Sequence, residues 1–435
     1  MNDDLESLVT AVPGPRTREL VSTLREYESR NVTYLSDDFP IFWESASGAN
    51  VVDVDGNRFI DLTSAFGVAN VGHCNPYVVS AISDQAARLM HGMGDVHPNE
   101  TRTRLLERLT AVLPKGLSKA FLATTGSEAV EAALKTAMLF TGKSRFAAFR
   151  GAYHGLALGV LPICGIDKFR EPFAAALGRG AVFLDYPASV AGTNVEIAAA
   201  KARETLSAHD DVAALIVEPI LGRGGCIVPP PGYLSALRTT CSDLGIVMIA
   251  DEIYTGFGRT GTWFGVEHDR VVPDVICIGK AMAGGFPISA AVGRPDVMDA
   301  WPPSTGEALH TSTYLGNPMG CAAALATISE IERLGLPARA RQLGLTLSSR
   351  LDALRAGSRK IVDVRGRGLL WGVQMQSAAL ADAVVKRALA LGVIALQSGS
   401  TGDVIAIAPP LVIGERQLRR GIDLLEAAID SVGSL

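Results

Sequence analysis

Three short apolar runs set the pattern in the middle of the chain: Ala214-Leu215-Ile216-Val217, Ile246-Val247-Met248-Ile249 and Val275-Ile276-Cys277-Ile278. None alternates with polar residues, so each reads as a strand buried on both faces, as in parallel sheets covered by helices. Stretches 195–209 and 232–244 carry apolar residues at helical spacing ahead of the first two runs. This β-α-β alternation predicts an α/β fold with a doubly wound, mostly parallel sheet. Each run is closed by an ionisable residue: Glu218, Asp251 and Lys280. Ligand crevices in open α/β sheets lie beyond the carboxyl ends of the strands. Three strands therefore deliver a Glu, an Asp and a Lys to one rim.

The rest of the chain frames that centre. Residues 1–30 are polar, with Leu20, Val21, Leu24 and Tyr27 at helical spacing after Pro13-Gly14-Pro15. This arm is expected to pack on a partner or close a site. Residues 41–62 form short apolar runs around Asp53-Val54-Asp55-Gly56-Asn57, an antiparallel hairpin pattern. His73 reads as a turn residue. Residues 76–113 predict two helices parted at Pro98. Strands are expected at 120–123 and 146–149. Beyond them come a helix from Ala322 to Leu334, a strand at 368–373, a helix near 378–391 and a strand at 404–408. An amphipathic helix starts near Glu415. The expected domains are an arm plus part of a small domain (1–70), a large cofactor-binding domain (71–324) and the C-terminal remainder of the small domain (325–435).

Composition narrows the class. With 435 residues, 48% hydrophobic and 20% charged, the chain suits a well-buried two-lobed enzyme. A net charge of −5 gives no footprint for nucleic acid. The 6 cysteines form no C-x-x-C pair, which argues against a metal site or disulfide framework and suits a reducing cytoplasm. The acidic start lacks the order of a signal peptide, and no apolar run spans a bilayer.

The chemistry follows from two places. A Lys at the end of a buried strand is partly desolvated, which favours the neutral amine that attacks carbonyls. An Asp beside it can keep a pyridinium nitrogen protonated, the pairing that pyridoxal 5′-phosphate (PLP) requires. The second place is Thr124-Thr125-Gly126-Ser127-Glu128, a turn opening a long helix, where free amides and Ser127 form an anion site. The plain alternative is an N-cap followed by an acidic first turn. Gly256-Phe257-Gly258-Arg259-Thr260-Gly261 matches a dinucleotide fingerprint. Two carboxylates precede it and no apolar helix follows, so that reading is dismissed.

Asp251-Glu252-Ile253, Thr255 to Gly261 and Gly279-Lys280-Ala281 together resemble the signature of class III (ω-) aminotransferases, similar to ornithine and 4-aminobutyrate aminotransferases. The resemblance runs from about residue 40 to the C-terminus. It implies PLP fold type I, with Lys280 as the Schiff-base lysine, Asp251 on the ring nitrogen and Glu218 orienting that network. It implies phosphate contacts at Gly126 and Ser127, and Tyr153 and Ile253 on the two ring faces, with His154 beside them. Tyr254 stands where a Gln usually meets the phenolic oxygen. Ser312 and Thr313 lie in a segment that crosses to the other subunit's phosphate, which implies a homodimer with shared sites.

The departures carry the substrate reading. Ala406 stands where glutamate-using members place an Arg, and Arg223 where they place the Glu that pairs with it. Leu156, Phe66, Phe42 and Trp43 make the pocket more apolar. Arg223 becomes the candidate carboxylate clamp, its bland reading being a surface ion pair. The expected activity is amino transfer between an amine or amino acid and a 2-oxo acid, with pyruvate favoured over 2-oxoglutarate. A racemase or epimerase of the same fold is the alternative, and a non-catalytic regulator is disfavoured because the chemical residues are all kept.

Overall fold

The structure is a computed structural model describing residues 3–178, 180–189 and 193–433. Met1 and Asn2, part of the acidic start, lie outside the described residues. Strands β1 (Trp43–Ser47), β2 (Asn50–Asp53) and β3 (Arg58–Asp61) pair antiparallel as the hairpin pattern implied. The arm packs on its own chain. Ser7 bridges to Arg58, and Asp55 accepts from the amides of Arg16 (2.8 Å) and Thr17 (3.0 Å). Asp55 thus serves as the cap that the helix Pro15–Tyr27 lacks locally.

The centre is a seven-stranded sheet. Its strands are β4 (Lys119–Ala123), β5 (Arg145–Phe149), β6 (Val182–Leu184), β7 (Val212–Val217), β8 (Val247–Asp251), β9 (Val275–Ile278) and β10 (Ser289–Gly293), in spatial order β4-β10-β9-β8-β7-β5-β6. The five strands from β6 to β9 run parallel, and β10 is antiparallel to both its neighbours. Every residue of β7, β8 and β9 is buried, which is why their sequences are unbroken apolar runs. The two-residue period of a strand still sorts them. Ile216, Ile249 and Cys277 share one core with the helix Gly126–Thr141. Leu215, Met248 and Ile276 join the opposite core, with the helices Tyr233–Leu244 and Pro318–Arg333.

The C-terminal part adds the helix Leu336–Gly357, then β11 (Ile361–Arg367), β12 (Leu370–Met375), β13 (Val393–Ile394), β14 (Leu396–Ser398) and β15 (Val404–Ile407), with helices Ala378–Ala390 and Glu415–Ser431. β13 pairs parallel with β3, so the two chain ends share a sheet. The sequence reading passes over the helix Leu336–Gly357, although Leu336, Ala340, Leu343, Leu347, Leu351 and Leu354 repeat at three- and four-residue steps and are buried. It also passes over β10, whose Ser, Ala and Gly residues carry little strand signal.

The false dinucleotide motif has a structural job. Arg259 is fully buried and donates to the carbonyls of Leu369 (2.9 Å) and Pro409 (2.6 Å), to Ser64 Oγ (3.0 Å) and to Asn70 Oδ1. It ties the segment after β8 to the turn after β3, to the residue ahead of β12 and to the segment after β15.

Candidate active site

The strand ends converge as the topology requires. Asp251 is the last residue of β8, Glu218 follows β7, and Lys280 follows β9 after Gly279. All three line a cavity of about 650 Å³ that also contains Ser127, Tyr153 and Arg223. Lys280 has φ of 43°, a left-handed conformation costing a side-chain-bearing residue about 1–2 kcal/mol. Such strain persists only where the surroundings fix it. Its Nζ stands 4.1 Å from the centroid of the Tyr254 ring. Burial lowers the Lys280 pKa against the opposing pull of Asp251 and Glu218, and the charge on Arg223 lowers it further.

Asp251 is 4% exposed. Its Oδ2 lies 2.7 Å from Nδ1 of buried His154, and its Oδ1 accepts from the Ile253 amide at 3.1 Å. The strand-end carboxylate is therefore aimed and held. Glu218 is equally buried, but it bonds neither Asp251 nor Lys280. Its oxygens accept from the amides of Tyr153 (2.8 Å) and Gly222 (2.9 Å). It fixes two cavity walls, and burial pushes its pKa up to about 7. Glu252 is next in sequence and points the other way. It accepts from the amides of Gly265 (2.8 Å) and Val266 (2.7 Å) and from Thr255 Oγ1, and burial raises it to about 7 as well.

At the far wall, Thr125 and Glu128 form a reciprocal capping box at the start of the helix Gly126–Thr141. This satisfies the Glu128 amide and leaves those of Gly126 and Ser127 without a partner among the described residues. Gly155, at φ of 114°, presses on Ser127: a Cβ there would fall 2.1 Å from Ser127 Oγ. The Tyr254 ring sits in a slot between Gly67 and Gly222, where a Cβ on either would come within 2.3 Å and 2.2 Å of a ring carbon.

The aminotransferase class-III profile matches residues 33–429. The chain is 39% identical over 445 aligned positions to a 4-aminobutyrate aminotransferase of Mycobacterium tuberculosis, covering 97% of each. The chain belongs to the class III aminotransferases. It is also 37% identical over 395 positions to an acetylornithine aminotransferase of Methanopyrus kandleri, covering 91% of this chain and 96% of that one. Among solved structures it matches an ornithine aminotransferase of Toxoplasma gondii, described with PLP at its active site, at a TM-score of 0.85 and 30% identity. That match covers 96% of this chain and 94% of that one. A Bacillus anthracis aminotransferase matches at a TM-score of 0.90 and 25% identity, covering 96% and 99%.

Class III aminotransferases are PLP-dependent enzymes of fold type I, and the residues of this one fit the cofactor. Two unpartnered amides at a helix N-terminus suit a phosphate. A buried carboxylate backed by an imidazole suits a ring nitrogen, and a lysine with lowered pKa suits an aldehyde. His154, Tyr153, Ile253 and Tyr254 line the same cavity, as do Phe66, Leu156, Arg223 and Ala406. Four of the expected residues do not. Trp43 stands on β1 against His73 and lines a neighbouring chamber instead. Ser312 and Thr313 lie on an outer segment away from this chain's cavity. Phe42 is also absent from its lining. His73 has a partner that the sequence did not suggest, Asp61 Oδ2 at 2.7 Å. Gln397 and Ser398 of β14 reach the cavity unannounced, because only the pairing of β14 with β15 brings them there.

Proposed function

We propose that this aminotransferase accepts pyruvate in preference to 2-oxoglutarate, with Arg223 as the carboxylate clamp. One observation carries the reading: the Arg223 guanidinium opens into the cavity of Lys280 and pairs with no carboxylate among the described residues, while position 406 is Ala. Among the described residues, Arg223 is the one guanidinium lining that cavity. It can take one carboxylate in a bidentate fork. The second carboxylate of 2-oxoglutarate would lose water without a partner.

Bound PLP supplies the aldehyde that accepts the amino group and a ring that draws electrons from the substrate's Cα. Gly126 and Ser127 would hold its phosphate, Tyr153 and Ile253 would flank its ring, and Tyr254 would border its phenolic side. Asp251, aimed by His154, would keep the proton on the ring nitrogen. Lys280 Nζ, its pKa lowered by burial, would carry the proton from the substrate's Cα to the carbon that bore the cofactor's aldehyde. Glu218 acts through the Tyr153 and Gly222 amides.

Racemisation needs a second acid or base facing the substrate. His154 and Glu218 are 2% and 4% exposed and engaged, and burial raises the pKa of the Tyr153 and Tyr254 hydroxyls. These features favour transfer over epimerisation. The same proposal includes a homodimer, with Ser312 and Thr313 completing the partner's phosphate site. The exposed Met90 (61%), Met93 (57%), Leu309 (73%) and Tyr314 (61%) support a contact surface around that segment. It also includes residence in the cytoplasm, which the unbridged cysteines suit. No helix among the described residues is long and apolar enough to cross a membrane.

The test is kcat/KM for pyruvate and for 2-oxoglutarate with a common donor, followed by chiral analysis of the product. Pyruvate should lead by at least tenfold. Equal use of both acids would remove the clamp argument, and scrambling of a chiral amino acid without any acceptor would point to the isomerase.

A further inference from the structure

Next to the reaction cavity lies a second chamber of about 310 Å³, lined by Phe39, Ile41, Trp43, Leu389, Ile394 and Leu396. It is apolar almost throughout. Among the described lining residues the one hydroxyl, that of Thr63, is already engaged: it donates to Asp61 Oδ1 at 2.6 Å and accepts from the Ala65 amide at 3.2 Å. A dry apolar cavity of about 150 Å³ already accepts benzene, so this one has room for an aryl group or a medium alkyl chain.

Phe66 and Leu396 line both chambers and so form the wall between them. Phe66 is 58% exposed, an unusual setting for a large apolar side chain beside a reaction centre. Its backbone explains the placement. Ser64, Ala65, Phe66 and Gly67 have φ of 50°, 48°, 65° and 78°, a left-handed turn of four residues, three of which carry side chains. The turn is held by its own backbone bonds and by two distant residues. Gly67 N donates to Thr63 O at 2.9 Å, Val68 N to Ser64 O at 2.8 Å, and Ser64 Oγ to Ala408 O at 2.7 Å, with Arg259 on the same hydroxyl. Local strain held by so many bonds marks a position that something other than stability fixes.

We propose that the chamber behind Phe66 is a subsite for the apolar tail of the amino donor, so that the enzyme prefers amines carrying an alkyl or aryl group over short donors. This rests on the aminotransferase reading and deepens it by naming the donor class. The shared wall of Phe66 and Leu396 sets the chamber directly beside the Lys280 cavity, and a turn of the exposed Phe66 side chain would open it to the tail of a bound donor. Trp43, which sequence placed among the substrate contacts, then meets the tail rather than the reacting end.

The test is a series of straight-chain primary amines, from propylamine to octylamine, with pyruvate as acceptor, on the PLP-loaded enzyme. Burial of about 0.8 kcal/mol per methylene corresponds to about a fourfold gain in kcat/KM per carbon, and the gain should stop once the chamber is full. Leu389→Phe, which fills the chamber from the helix Ala378–Ala390, should end the gain at shorter chains and leave alanine kinetics unchanged. A wild-type series flat in chain length would overturn the proposal without needing any variant. Equal losses for alanine and octylamine in Leu389→Phe would overturn it too, as would a shift toward monomer in sedimentation with the chain-length slope intact, which would make the chamber a subunit contact. If pyruvate is refused and another 2-oxo acid accepted, only the acceptor reading fails, and the slope is read with that acid.

Discussion

If Arg223 is the proposed clamp, replacing it with Ala should separate the binding of a carboxylate from the chemistry proposed at Lys280. Truncating one member of a buried, hydrogen-bonded charge pair costs about 2–5 kcal/mol. Arg223 is solvated in the free cavity, which places the expected loss at the lower end, about 2–3 kcal/mol, or about 30- to 150-fold in kcat/KM for alanine and pyruvate. The loss should fall mainly on KM, because the clamp holds ground state and transition state alike. Arg223→Lys keeps the charge without the fork and should recover part of it. Propylamine, having no carboxylate, should change less than threefold in its own half-reaction. A second readout has a fixed sign. Arg223 helps to lower the Lys280 pKa, so its removal raises that pKa. The pH limb for PLP capture by the apoenzyme, which needs the neutral amine, should then move to higher pH. The assay is stopped-flow absorbance for each half-reaction across pH. Equal losses for alanine and propylamine with an unmoved limb would refute the reasoning and make Arg223 a structural residue.

Three further outcomes test the frame. Burial raises the folded-state pKa of Glu252 from 4.5 to about 7, so its stabilising contribution is full below about pH 4.5 and is lost as pH rises to about 7. Glu252→Gln should therefore flatten the fall in Tm between pH 5 and 8, by about 1–3 kcal/mol of stability, and an unchanged slope would contradict this. Arg259→Met leaves buried acceptors at Leu369, Pro409, Ser64 and Asn70 unpaired, at a cost of about 3–5 kcal/mol in urea unfolding. A loss under 1 kcal/mol would mean that water replaces it. Gly155→Ala drives a methyl group into Ser127 Oγ and should weaken PLP binding at least tenfold by cofactor titration, whereas unaltered binding would detach Ser127 from the phosphate.

The parallel centre was legible because full burial removes polar residues from β7, β8 and β9, leaving unbroken apolar runs that end in Glu218, Asp251 and Lys280. Strand period also separates Asp251 from Glu252, but one sequence does not say which of two adjacent carboxylates faces the ligand. The motif resemblance points to Asp251; in the structure Asp251 meets His154 and lines the cavity, while Glu252 turns to the amides of Gly265 and Val266. Placement across distant segments was not legible. The slot that Gly67 and Gly222 form for Tyr254 joins residues far apart in the chain. Trp43 shares an apolar character with the pocket residues, yet β1 carries it into the side chamber. β10 and the helix Leu336–Gly357 were missed for different reasons: the first has almost no pattern, while the second has one that went unread.

The central claim is that Lys280 is the residue that holds the cofactor, with Asp251 beside it. Borohydride reduction of the purified yellow enzyme, followed by peptide mapping, tests it most directly. The account predicts a single reduced pyridoxyl label on Lys280, with Lys280→Ala unlabelled and slowed by several orders of magnitude. A label on any other lysine, or full turnover in Lys280→Ala, would contradict it.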